Sequence, residues 1–203
     1  MVLLMNNGKP AIAVIAEDRT DCETFRNIVH KVLGKQTTVR QWGANGCSIL
    51  KRKLPATLKT LHSTGCNAFI IVHDLDRNPQ NNSLNDEKVL RQDLEVASSE
   101  LKIINKHICI PIEELEAWFL SDPSVIEHIG KIQGKEYSNP ESISKPKELL
   151  IKLSVGENKK YRYTTNMNPG LIEILNFDLC ARRCAAFKNL LSFLNSLNPS
   201  VEE

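Results

Sequence analysis

Two aspartates one residue apart, Asp74 and Asp76, end the apolar run Ala68-Phe69-Ile70-Ile71-Val72-His73. The run is continuous and rich in β-branched residues, the pattern of a strand buried on both faces of an α/β sheet. The turn formers Asn78-Pro79 follow and are expected to bring both carboxylates to one cavity. Paired oxygen donors suit a hard divalent cation such as Mg²⁺ or Mn²⁺. Aspartate also ends strands for loop reasons alone, so the pair needs support from elsewhere in the chain. That support is Ala11-Ile12-Ala13-Val14-Ile15-Ala16, a second buried-strand pattern, which ends on Glu17. An acidic residue there serves no packing purpose. Asp21 follows four residues later, in the first turn of a helix that Thr20 and Glu23 are expected to start as a capping box. Carboxylates gathered at one sheet edge repel and raise one another's pKa, and a divalent cation resolves the conflict. Two such ions, roughly 3.5–4 Å apart, stabilise the attacking and leaving oxygens of a phosphodiester. In that scheme Asp21, Asp74 and Asp76 hold metal, and Glu17 is a ligand or the general acid/base.

A strand ending in Glu, an acidic residue four positions on, and a later strand ending in Asp-x-Asp together resemble the Toprim domain. That domain occurs in topoisomerases, primases, small ribonucleases and nucleases of the overcoming-lysogenization-defect type. Asp18 stands where such domains often carry Gly after the motif Glu. A further segment, Ile110-Pro111-Ile112-Glu113-Glu114-Leu115-Glu116-Ala117-Trp118-Phe119-Leu120-Ser121-Asp122, resembles the Toprim-like bacterial family DUF4276. Pro140-Glu141, Pro146-Lys147 and Cys184-Ala185-Ala186-Phe187 are similar to the C-terminal pattern of that family. The likeness runs from about Ala11 to Leu194. It implies that Glu114 and Glu116 are a recurring pair, either of which completes a second metal site, and that Lys147 neutralises charge in the transition state. It also implies an ATPase partner and a role in bacterial defence against phage.

Basic residues for phosphate contact are Lys51 and Arg52 with Lys53, Lys145 beside Lys147, then Lys159, Lys160 and Arg162, and Arg182 with Arg183. Lys159-Lys160-Tyr161-Arg162-Tyr163 interleaves cations with rings, a composition suited to holding a backbone and stacking a base. The chain has 203 residues and a formal net charge of +2, so nucleic acid would be met by a local patch and not by overall charge. No apolar run approaches the roughly 18–20 residues that span a bilayer. Nor does Met1-Val2-Leu3-Leu4-Met5 have the form of a secretory signal. A cytoplasmic protein is expected, its six cysteines reduced and mostly core. The histidines show no ligand spacing, and His73 is expected to face away from Asp74.

The elements that must position these groups alternate. Strand patterns at 11–16, near 37–42, at 68–73 and at 108–110 are separated by helical patterns at about 20–33, after Gly46 with a break at Pro55, and over about 86–101. That order predicts a mostly parallel sheet with helices on both faces, and the resemblance implies that it is Toprim/Rossmann-like. A Glu-rich helix is expected over 113–120. Residues 123–203 read as a helical extension of one domain, closed by a helix from Asp178 to about Leu197. The expected function is Mg²⁺-dependent phosphodiester transfer on nucleic acid. The alternative is a non-catalytic subunit of a complex with an ATPase. A phosphatase of the haloacid-dehalogenase type ranks last, because its Asp-x-Asp follows the first strand.

Overall fold

The computed structural model describes residues 10–78, 80–100, 103, 105–130, 133–155 and 160–198. Strands β1 (Ile12–Ala16), β2 (Val39–Gly43), β3 (Ala68–Val72) and β4 (Asn105–Cys109) form one parallel sheet in the order β2-β1-β3-β4. Helices α1 (Arg19–Leu33), α2 (Cys47–Ser63) and α3 (Glu87–Ala97) make the crossovers. This is the α/β, Rossmann-like arrangement that the alternation of strand and helix patterns predicts.

Strand parity sorts the core into two layers. Ile12, Val14, Ala16, Ala68, Ile70 and Val72 pack with Cys22, Phe25 and Ile28 of α1. Ala13, Ile15, Phe69 and Ile71 pack with Leu50, Leu54 and Leu58 of α2 and with Leu90 and Leu94 of α3. Because β1 leads through α1 to β2 on one side, and the chain returns through α2 to β3 on the other, the sheet reverses direction between β1 and β3. In open parallel sheets the ligand crevice lies beyond the strand C-termini at such a reversal.

The remaining helices, α4 (Glu116–Leu120), α5 (Pro123–Gly130), α6 (Pro146–Leu153), α7 (Asn168–Ile174), α8 (Phe177–Arg183) and α9 (Ala185–Ser196), join the α1 layer. Trp118 is its hub: its ring lies 5.6 Å from that of Phe25 and 5.0 Å from that of Phe187. The ammonium of Lys31 donates to the carbonyls of Ile172 and Leu175, fastening α1 to the end of α7. Phe193 of α9 stacks on His107 and covers the outer strand β4. Among the described residues no helix is long and apolar enough to cross a membrane.

Four local expectations are corrected. The N-cap of α1 is Asp18, whose carboxylate accepts the Asp21 amide at 2.9 Å. Thr20 lies inside the helix, and Glu23 pairs with Arg19 instead of closing a capping box. Helix α2 runs unbroken through Pro55, since Leu50, Leu54 and Leu58 anchor it on both sides of the proline. The Glu-rich helix begins only at Glu116, because Glu113 adopts a left-handed φ of 64° that a helix cannot contain. Cys184 is extended, so the last helix is two, and α9 receives a new cap when its Ala185 amide donates to Glu141.

Candidate metal and phosphate site

Glu17 extends β1 by one residue and shares its face with Ala13 and Ile15. The register Ile15↔Ile71 carried two residues further sets Glu17 beside His73. Their side chains meet: His73 Nδ1 lies 3.1 Å from Glu17 Oε1. The same carboxylate accepts the Asp74 amide at 3.3 Å. Burial raises the Glu17 pKa; His73 draws it down, and Asp76 pushes it up again.

Asp74 has the opposite parity and joins the α1 side of the sheet. Burial lifts its carboxyl well above the ordinary value, and the charges of Asp21, Glu116, Glu17 and Asp76 add to the rise. Asp21, in the first turn of α1, is pushed up to about 8 by burial and then by Asp18, Glu116 and Glu17, with Lys147 opposing. These mutual effects place Glu17, Asp21, Asp74, Asp76 and Glu116 in one electrostatic neighbourhood, at the β1/β3 reversal. Asp74 and Asp76 need no turn to act together, because alternate residues of an extended chain share a side. The chain does stay extended there: Leu75 bridges Ile112 in parallel fashion.

Glu116 is buried, and its Oε1 accepts the Asn168 amide at 3.1 Å. The Tyr163 hydroxyl stands between two acceptors, 3.1 Å from that oxygen and 2.6 Å from Asn168 Oδ1. Burial, then the Glu116 charge, raises the Tyr163 pKa, so the phenol keeps its proton. Glu114 precedes the helix, and its Oε2 accepts the Lys147 amide at 3.1 Å. Burial and the neighbouring Glu116 raise the Glu114 carboxyl. The Lys147 ammonium draws down both Asp21 and Glu114, which places it at the rim of the acidic group. Glu113 is turned elsewhere: itself buried, it pairs with the half-buried Arg77.

Among the described residues no three His, Cys, Asp or Glu side chains already stand around one point as a ligand set. The acidic groups share a field without forming a finished coordination shell. A cavity of about 380 Å³ opens beside them, lined by Asp74 and Asp76, by His73, and by residues of α2 and α3.

A family model described as "Domain of unknown function (DUF4276)" matches residues 16–195. The chain belongs to the DUF4276 family. It matches no curated protein and no solved structure. The matched span of this DUF4276 chain contains Glu17, Asp21, Asp74, Asp76, Glu114, Glu116 and Lys147.

Among the described residues, the basic candidates of the DUF4276 chain are spread over different elements. Lys51 lines the carboxylate cavity, its Nζ 3.6 Å from Asp93. Arg52, the next residue of α2, is exposed. Lys160 and Arg162 are exposed beside the bridge of Val155 with Tyr161, and Lys159 lies outside the described residues. The interleaved ring-and-cation reading fails at Tyr163, which is 2% exposed and bound to the Glu116 network, so it has no face to offer a base. Arg182 and Arg183 line a separate cavity with Glu141 and Lys188, and Arg183 is already held by Glu136 and the Ser121 carbonyl.

His73 is the site residue that parity should have found. Facing away from Asp74 puts it on the face of Glu17, since residues 13, 15 and 17 share a side with 69, 71 and 73 across the paired register. Tyr163 and Asn168 left no such signal; they reach Glu116 from about fifty positions away in the chain.

Proposed function

We propose that this protein is a divalent-metal-dependent, Toprim-like phosphodiester hydrolase acting on nucleic acid. The observation that carries the reading is the placement of Glu17, Asp21 and Asp74 at the end of β1, the start of α1 and the end of β3, where burial and neighbouring acidic charges, Asp76 and Glu116 among them, raise their carboxyls. Buried carboxyls whose ionised form is disfavoured by neighbouring acidic charge invite positive charge. The donors are all carboxylate oxygens, which fits Mg²⁺ or Mn²⁺ and not a thiolate-loving metal. Asp74, Asp76 and Asp21 would hold the ion, with Glu116 and Glu114 on the α4 side. Bound there, the metal supplies charge stabilisation to a phosphoryl oxygen.

The chain's own groups have separable tasks. Glu17, oriented by His73 and by the Asp74 amide, is placed to hold or move a proton. Lys147 is placed to offset negative charge that grows at the phosphate. The Toprim likeness extends the reading to an ATPase partner in anti-phage defence, which co-purification from cells would test.

The deciding experiment is a cleavage panel over single- and double-stranded DNA and RNA with Mg²⁺, Mn²⁺ or EDTA. Cleavage is expected only with metal, and Asp74→Ala or Glu17→Ala should abolish it. If both purified variants cut as well as the wild type, the activity belongs to a contaminant or another site. Among the described residues no ligand triplet is preformed, which favours one rival, a non-catalytic binding subunit. Calorimetry separates the two, since the rival requires no Mg²⁺ binding even at millimolar concentration.

A further inference from the structure

The cavity beside the carboxylates has two chemically unlike walls. One is the start of α2, where Gly46 offers no side-chain cap and the first turn holds no acidic residue. The leading amides of a helix have no intrahelical acceptor and carry partial positive charge. Ser48 and Lys51 lie on this wall. The other wall is α3, with Val89 and Leu90 between Asp86 and Asp93.

A second observation points to a ligand independently of the helix end. His73 lines the cavity, is only 5% exposed, and has Nδ1 engaged by Glu17 and by the Asp74 carbonyl at 2.8 Å. Its Nε2 is buried and meets no partner. A buried polar atom left unpaired costs about 1–3 kcal/mol, and a bound group that pairs with it removes the cost.

We propose that this cavity is a subsite for one unpaired nucleotide, its phosphate at the start of α2 near Ser48, Lys51 and His73, its sugar and base along α3. Charge fixes the orientation. Lys51 offsets Asp93, which lies 3.6 Å from its Nζ, so on the α3 wall Asp86 is the carboxylate that repels a phosphate, whereas sugar hydroxyls and base amines can donate to it and a base can lie on Val89 and Leu90. Asp74 and Asp76 also line the cavity, so the nucleotide is expected to bind more tightly in Mg²⁺ than in EDTA. Size favours an unpaired nucleotide, since a cavity of about 380 Å³ accommodates a single nucleotide. The inference rests on the phosphodiester reading and adds that the substrate enters single-stranded or by an end.

The test is calorimetric titration of the full chain with 5′-AMP, adenosine and inorganic phosphate, in EDTA and in Mg²⁺. The nucleotide should bind more tightly than either fragment. Lys51→Ala should weaken it by about tenfold or more, the loss of one charge-assisted hydrogen bond. Val89→Trp should block it by filling the cavity; Val89 is 55% exposed, so the larger ring does not enter the core. No 5′-AMP binding in either condition overturns the subsite, as does an affinity equal to that of phosphate alone. Affinity unchanged in both variants overturns it too. Nucleotide binding without any cleavage would support the subsite while sinking the nuclease reading; cleavage without nucleotide binding would do the reverse.

Discussion

His73 and Asp21 show how two ordinary side chains acquire roles from their surroundings. His73 touches the proposed acid/base Glu17 and not the reacting atoms, so it is a positioning residue. His73→Phe keeps the ring's bulk and deletes the hydrogen bond, and kcat should fall about ten- to hundred-fold, as for other residues that orient an active group. KM for a nucleic-acid substrate should rise as well, because the ring also loses its contact in the phosphate subsite, and the loss of kcat should persist across metal concentrations. Asp21 makes a stability prediction. Its folded pKa, about 8, stands above its ordinary value of 3.8. The unfolded chain therefore loses this proton first, and the contribution to stability is full below pH 3.8 and drains as pH rises toward 8. Thermal melts in EDTA should show Tm falling from pH 5 to pH 8. Asp21→Asn should reduce that fall, by about 2–4 °C for each kcal/mol relieved. Added Mg²⁺ should restore wild-type Tm at pH 8, and a melt indifferent to metal would contradict ligation there.

At the scale of elements, the site depends on how closely β2 and the start of α1 approach. A Cβ added at Gly43, the last residue of β2, would stand 2.8 Å from the Asp18 carbonyl carbon and 2.9 Å from the Arg19 nitrogen. Both are backbone atoms and cannot swing aside, so Gly43→Ala should cost about 1–3 kcal/mol. It should also displace the Glu17–Asp21 loop, weakening Mg²⁺ affinity along with stability. The short helix α4 depends on a longer-range tie. Tyr163→Phe leaves one bond to the Glu116 carboxylate, from Asn168, and should destabilise by about 1–2 kcal/mol in chemical denaturation. Tyr163 and the exposed Tyr161 sit two positions apart, yet one is core and the other surface. No composition rule separates them.

The whole molecule has one large apolar layer that unites the sheet with the C-terminal helices. Phe187 of α9 packs on Trp118 and Phe177, and Trp118 packs on Phe25 of α1. Phe187→Ala should therefore cost about 3–5 kcal/mol. The cost should be felt in the sheet, as faster amide exchange in β1 and β3 and not only in α9. Exchange confined to the last helices would mean that they unfold independently of the site.

The residue types settled a good deal about this protein. Continuous β-branched runs defined β1 and β3 and set Glu17, Asp74 and Asp76 at their C-terminal ends, because a parallel strand buried on both faces stays apolar along its length. Apolar periodicity located helices α1 and α3 and the free, buried cysteines Cys22, Cys66 and Cys109. Caps and breaks were less legible: Asp18 outcompeted Thr20, and Pro55 was overridden, since each depends on neighbours a few ångströms away. Only the tertiary structure set Glu17 beside His73, since that contact needs the β1–β3 register and register is a relation between distant segments. It alone assigned Glu113 to Arg77 and Tyr163 to the interior. A sequence carries each side chain's chemistry, but which groups desolvate together is decided by where the folded chain brings them.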